Sequence, residues 1–179
     1  MSVMECEKLQ VGQKAPDFQA QALLPDGSFK EVKLSEFKGK WVVLFFYPLD
    51  FTFVCPTEIQ GFNKHFDEFK KMNVEILGAS TDSVYSHKAW TDKELGKVKF
   101  PILGDTNHSV SKSFGVLLQD KGIALRGTFI IDNNGILRST VVNDLPVGRS
   151  IEETLRTIQA LQSGKLTGCG WKPGEKTLN

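Results

Sequence analysis

The chain is poor in cysteine, with Cys6, Cys55 and Cys169 alone in 179 residues. Three sulfurs so far apart exclude the disulfide framework of a small secreted domain. No Cys-x-x-Cys pair occurs with histidines at zinc-ligand spacing, and His65, His87 and His108 show no ligand pattern, so neither a metal nor a cofactor is expected. Net charge is equally scarce: 22 basic against 21 acidic residues leave +1, which excludes a global attraction for nucleic acid or anionic lipid. Long apolar runs are missing too. The longest strongly apolar run, residues 41–47, is seven residues, far short of the roughly 20 that a membrane helix requires. Residues 1–8 lack the basic start and apolar stretch of a secretory signal, and a cytoplasmic location is expected. There is no internal repeat, low-complexity tract or linker between domains.

What is present suits one domain spanning residues 1–179, with an ordinary hydrophobic content of 40%. Residues 164–179 hold four glycines and one proline, which predicts an irregular, mobile tail carrying Cys169. Residues 15–23 and 29–34 flank an Asp26-Gly27 turn and predict an N-terminal β-hairpin. Residues 41–47 are β-branched and aromatic, as in a central strand covered on both faces. Ile59, Phe62, Phe66 and Phe69 then recur on one helical face, and residues 74–80 read as a second buried strand, completing a βαβ unit. A helix from Asp82 or Ser83 through Trp90, a short extended piece at 100–103 and a brief helix at 109–114 follow. Residues 123–132 and 136–142, joined by Asn133-Asn134-Gly135, predict an antiparallel strand pair. Ser150 opens the last helix, with Glu153 placed for a capping box, and Ser163-Gly164 closes it. The sum is an α/β three-layer sandwich around a mixed central sheet.

Cys55 follows the central strand, in Tyr47-Pro48-Leu49-Asp50-Phe51-Thr52-Phe53-Val54-Cys55-Pro56-Thr57-Glu58. Pro48 stops the strand, and Pro56 suits a first helical turn, where no backbone donor is needed. The sulfur is therefore expected at a helix N-terminus, whose unpaired N–H groups and dipole favour a thiolate, the nucleophilic form. Otherwise a free cysteine caps a helix or fills a core. Thr52 either caps the same helix or turns its hydroxyl into the pocket of the sulfur. Taken alone, Glu58 reads as a carboxylate in the first helical turn, and Arg126 and Arg149 read as surface charges.

The spacing Pro48-x-x-x-Thr52-x-x-Cys55, continued by Pro56-Thr57-Glu58, resembles the signature of the peroxiredoxins, specifically their typical two-cysteine branch. Residues 125–132 and 142–150 also resemble that family, in the expected order, and the likeness runs from about residue 12 to residue 178. It implies a thioredoxin-like fold and a thiol peroxidase acting on hydrogen peroxide and organic hydroperoxides. Cys55 would be oxidised to a sulfenic acid. Thr52 would contact the peroxide, Arg126 would stabilise the anionic sulfur, and Pro48 would shape the pocket and exclude water. The resemblance gives Glu58 and Arg149 a supporting polar network. Cys169 matches the resolving position, which implies a Cys55–Cys169 disulfide between subunits of a homodimer, with a decamer as the larger assembly. Thioredoxin or a flavoprotein disulfide reductase is the implied electron donor.

Two departures stand out. Gly168-Cys169-Gly170 replaces the family's Val-Cys-Pro and makes the segment more flexible. Lys93-Glu94-Leu95-Gly96 does not reproduce the Gly-Gly-Leu-Gly insertion of overoxidation-sensitive forms, and no Tyr-Phe element precedes Asn179, so disulfide formation is expected to outrun oxidation to sulfinic acid. Cys6 matches no family position and reads as a non-essential exposed thiol. A thioredoxin-type reductase would need a second cysteine where Glu58 stands. The remaining alternative is a ring-forming, redox-regulated chaperone or signalling scaffold built from the same assembly.

Overall fold

A computed structural model describes residues 9–179, and Cys6 lies outside the described residues. At its centre is β3 (Trp41–Phe46). Val42, Leu44 and Phe46 enter one buried cluster, while Val43, Phe45 and the following Tyr47 enter another on the opposite face. A strand covered on both sides has no face to leave polar, which is why its sequence is an unbroken apolar run. β4 (Val74–Ser80) lies parallel to β3 on one side, and β8 (Arg126–Ile131) antiparallel on the other. With β1 (Gln19–Leu23), β2 (Phe29–Lys33), β5 (Ile102–Gly104) and β9 (Leu137–Asn143), the sheet runs β2-β1-β5-β4-β3-β8-β9. The predicted hairpin forms, and β1 also pairs with β5, so the hairpin extends the main sheet.

The apolar spacing after Cys55 predicts one helix, and two are found: α1 (Cys55–Lys64) and α2 (Phe66–Lys71). The chain breaks at His65 (φ -94°, ψ 8°), whose carbonyl accepts from both Glu68 and Phe69 N–H. Ile59, Phe62 and Phe69 still reach the core, whereas Phe66 is only half-buried, under the Lys70 and Lys99 ammonium groups. α3 (Val84–Trp90) is capped by Ser83 and runs on as one wide turn over Thr91–Leu95. α4 (Ser109–Ser113) is brief. α5 (Ile151–Ser163) starts at Ser150, whose hydroxyl accepts from Glu153 N–H at 3.1 Å. The predicted capping box is incomplete, because the Glu153 carboxylate turns to Arg156 at 2.6 and 2.7 Å. α1, α2, α5 and the end of α3 cover the Phe45 face of the sheet, and α4 covers the Phe46 face, which makes three layers.

Residues 123–132, predicted as one strand, divide at Leu125. β7 (Ile123–Ala124) pairs with β6 (Leu117–Leu118) in a separate ribbon, and β8 joins the main sheet. Leu125 N–H donates to Val116, and its carbonyl accepts from Gly127, so the chain turns just where Arg126 begins β8. Only glycine fits at 127, since a Cβ there would lie 2.8 Å from the Phe129 ring and from Val116. The tail has no helix or strand, and it is tied to α5. Trp171 is buried, its indole N–H donates to the Glu175 carbonyl at 3.0 Å, and its own carbonyl accepts from Arg156 at 3.1 Å. Among the described residues, no helix is long and apolar enough to cross a membrane.

Candidate active site

The loop 47–54 leaves the carboxyl end of β3 and delivers Cys55 as the first residue of α1, with Pro56 next. Carboxyl ends of strands are where open α/β sheets gather ligand-binding groups. Cys55 is fully buried, as is most of Pro48. Among the described residues, no acceptor engages the Cys55 backbone N–H, one of the orphan donors of the helix start.

Arg126 approaches from β8, the strand beside β3. Its Nη1 lies 3.3 Å from the Cys55 sulfur and donates to Glu58 Oε2 at 2.8 Å, while Nε donates to the Leu145 carbonyl at 2.7 Å. Glu58 sits three residues after Cys55, on the same side of α1. Its other oxygen accepts from Arg149 Nε at 2.9 Å and from Arg149 N–H at 3.2 Å. Arg149 also donates to the Gly127 carbonyl, the Thr128 hydroxyl and the Phe46 carbonyl, and its guanidinium lies 5.1 Å from the centre of the Phe45 ring.

The side chains of Arg126, Arg149 and Glu58 are 5%, 2% and 2% exposed. The reading of the two arginines as surface charges is therefore corrected, whereas Glu58 does lie in the first turn of α1. Two cations converge on one buried carboxylate, and each is kept in the interior by the other's charge and hydrogen bonds. Burial pulls the Arg149 guanidinium below its ordinary range and Glu58 opposes that pull; an arginine starts so high that it stays charged. Two positive charges against one negative leave the cluster in balance when the sulfur bears a second negative charge.

Thr52 does not cap α1. The residue at the cap is Val54, without a side-chain bond, and the Thr52 hydroxyl donates to the Leu49 carbonyl at 2.9 Å. With its proton committed, its free lone pairs can only accept. Between Asp50 and Thr52, Phe51 has φ 55°, a left-handed conformation uncommon for a bulky residue.

Under this loop lies a polar cluster that the absence of a ligand pattern among the histidines does not reveal. The Asp50 carboxylate accepts from Tyr47, Ser86 and His87 at 2.8 Å each. Val84, His87 and Trp90 recur every third residue and are all buried; that period marks His87 as inward-facing. Burial, and after it the Asp50 charge, push the Tyr47 phenol well above its ordinary value, so it remains a neutral donor.

Cys169 is an exposed free thiol in the tail, on a turn closed by Trp171 N–H donating to the Gly168 carbonyl at 3.2 Å. It borders a cleft of about 530 Å³ lined also by Arg138, Arg156 and Lys165. Cys55 and Cys169 are not bonded to each other in this chain. Among the described residues, no group of three or more His, Cys, Asp or Glu is placed to hold a metal.

Residues 11–140 match the model of the AhpC/TSA family. Peroxiredoxin-1 of Gallus gallus is 54% identical, over 98% of this chain and 92% of that protein. The chloroplastic 2-Cys peroxiredoxin BAS1 of Hordeum vulgare is 56% identical, over 94% of this chain and 84% of its own length. The reduced 2-Cys peroxiredoxin of Plasmodium vivax has a similar structure, with a TM-score of 0.92 and 44% identity over 94% of this chain and 92% of that one.

Proposed function

Because the chain belongs to the AhpC/TSA family and is a peroxiredoxin, a thiol-dependent peroxidase with a thioredoxin-like fold, we propose that Cys55 is the sulfur that attacks the hydroperoxide. The observation that carries this reading is the Arg126 guanidinium 3.3 Å from a sulfur at a helix N-terminus. The thiolate attacks the terminal oxygen, an S–O bond forms as the O–O bond breaks, and two electrons pass from sulfur to oxygen. The attacked oxygen stays on sulfur as the sulfenic acid, and the departing oxide takes a proton and leaves as water or an alcohol. Among the described residues, Arg126 Nη2 has no protein acceptor, so it is the donor left for a bound oxygen. Thr52 accepts from the peroxide hydrogen. Glu58 and Arg149 hold Arg126 in place, and Pro48 helps to close the site against water.

Cys169 then resolves the sulfenic acid: its thiol attacks the Cys55 sulfur, a disulfide forms, and water leaves. A fully buried sulfur and an exposed one meet only if the loop, the tail or both move. The partner in this reading is Cys169 of a second subunit, in a homodimer that assembles further into a decamer, and each chain acts as one domain with its tail as the carrier. A thiol reductant restores both cysteines; thioredoxin or a flavoprotein disulfide reductase in the cytoplasm fills that role. A chaperone or scaffold role without turnover is not favoured by any feature described above.

The test is non-reducing mass analysis after one equivalent of hydrogen peroxide, on wild type, Cys55→Ser and Cys169→Ser. A Cys55–Cys169 link between subunits, and sulfenic acid at Cys55 in Cys169→Ser, are expected. Cys55 remaining reduced in wild type would overturn the assignment.

A further inference from the structure

Asp50, five residues before Cys55, carries a carboxylate that the chemistry above does not use. Its side chain is 1% exposed. Oδ1 accepts from the Tyr47 phenol, and Oδ2 accepts from the Ser86 hydroxyl and His87 Nδ1, each at 2.8 Å. The Asp50 N–H donates to Asp82 Oδ2 at 2.8 Å, and the Ser80 hydroxyl donates to that same oxygen at 3.0 Å. His87 is fully buried, with Nε2 facing the Leu103 carbonyl at 3.0 Å, so both its ring nitrogens face acceptors.

These partners come from the framework: Tyr47 just after β3, Ser80 and Asp82 at the end of β4, Ser86 and His87 in α3, and Leu103 in β5. Tyr47 opens the loop that leads to Cys55, Asp50 lies in its middle, and the other partners stand outside that loop. The next residue, Phe51, holds φ 55°, a conformation that is strained for a bulky side chain and persists only where its surroundings over-determine it. Asp50 supplies that constraint on one side, and on the other the Phe51 ring rests 6.1 Å from the ring of Trp90. Thr52 follows directly, its hydroxyl aimed by the Leu49 carbonyl.

We propose that Asp50, gripped by Tyr47, Ser86 and His87, is a positioning residue of the peroxidase reaction, fixing the strained loop so that Thr52 and Cys55 meet the hydroperoxide in register. This rests on the reading of Cys55 as the attacking sulfur.

The experiment compares two reactions of Cys55 in wild type, Asp50→Asn and Asp50→Ala: oxidation by hydrogen peroxide in stopped flow, and alkylation by iodoacetamide. Attack on peroxide needs Thr52 and Arg126 aligned with both oxygens, whereas alkylation needs only the sulfur. Asp50→Ala is expected to slow oxidation about 100-fold, the effect of a displacement near 1 Å in a catalytic constellation, without slowing alkylation. Asp50→Asn keeps the shape and two acceptor sites and is expected to regain about tenfold of that loss. Oxidation unchanged in Asp50→Ala, or both reactions slowed equally, overturns the proposal. If Asp50→Ala does not fold, Tyr47→Phe and Ser86→Ala, each deleting one bond to Asp50, are expected to slow oxidation about threefold to tenfold with alkylation unslowed, and no change overturns it. Wild-type Cys55 that fails to oxidise at all marks a failure of the peroxidase assignment instead.

Discussion

Glu58 Oε2 and Arg126 Nη1 lie 2.8 Å apart in the interior, and that same nitrogen is the one 3.3 Å from the Cys55 sulfur. The carboxylate therefore both neutralises and aims the guanidinium. Glu58→Gln keeps an acceptor of the same shape but leaves two buried arginines without a counter-charge. A stability loss of about 3–5 kcal/mol is expected from urea unfolding, together with slower Cys55 oxidation.

Arg126→Lys preserves the positive charge and removes the fork. One ammonium cannot reproduce the planar arrangement that joins the Leu145 carbonyl, Glu58 and Cys55. Oxidation of Cys55 by hydrogen peroxide should fall about 10²- to 10³-fold, as for loss of one preorganised donor. A stopped-flow rate within threefold of wild type would show that charge alone suffices.

At Thr52 the hydroxyl is what matters. Thr52→Ser retains the bond to the Leu49 carbonyl and the free lone pairs, and its peroxide rate should stay near wild type. Thr52→Val keeps the volume without the acceptor and should lose about 10²-fold in the same assay.

The strand, loop and helix around Cys55 are legible in sequence because their signals are local: an unbroken apolar run, Pro48, and Pro56 at the first turn. The Asp26-Gly27 hairpin and the caps at Ser83 and Ser150 are legible for the same reason. The breaks at His65 and Leu125 are not, because neither carries a proline, a glycine or a change of apolar period to mark it. The burial of Arg149 depends on Glu58, 91 positions away. No local period separates a solvated arginine from one drawn inward by a remote carboxylate.

Glu75 on β4 links Lys40, just before β3, to Lys70 in α2, at 2.8 and 2.6 Å. Burial alone pushes its carboxyl up, and the bonds from Lys40 and Lys70 overcome it, leaving the group below its ordinary value of 4.5. A depressed carboxyl stabilises the fold above that ordinary value, and the contribution fades as pH falls through the lower folded value. Glu75→Gln should thus be less stable than wild type by about 1 kcal/mol at pH 7. The difference should close in acid, below 4.5. A gap that persists unchanged in acid urea melts would mean that packing, not charge, carries the effect.

β9 is the outer strand beside β8; among the described residues its far edge is bonded at Leu137, to Gly12 and Gln13, and no strand pairs with the rest of it. Val141 and Val142 on it are 50% and 44% exposed. An apolar open edge is a template for another strand, and a two-fold contact there would place identical residues of two copies close together. The segment that follows β9 contains Leu145 and Arg149, both bonded to the Cys55 cluster, so pairing at this edge would also brace the site. Replacing both valines by lysine sets like charges across the contact, and sedimentation velocity should show a monomer in place of the proposed dimer. In that monomer Cys55 should still oxidise, since its neighbours all come from its own chain, but under the proposed resolution by Cys169 of a second subunit the sulfenic acid should persist. A monomeric variant that still closes a Cys55–Cys169 disulfide would move the bond within one chain and require the tail to reach its own α1.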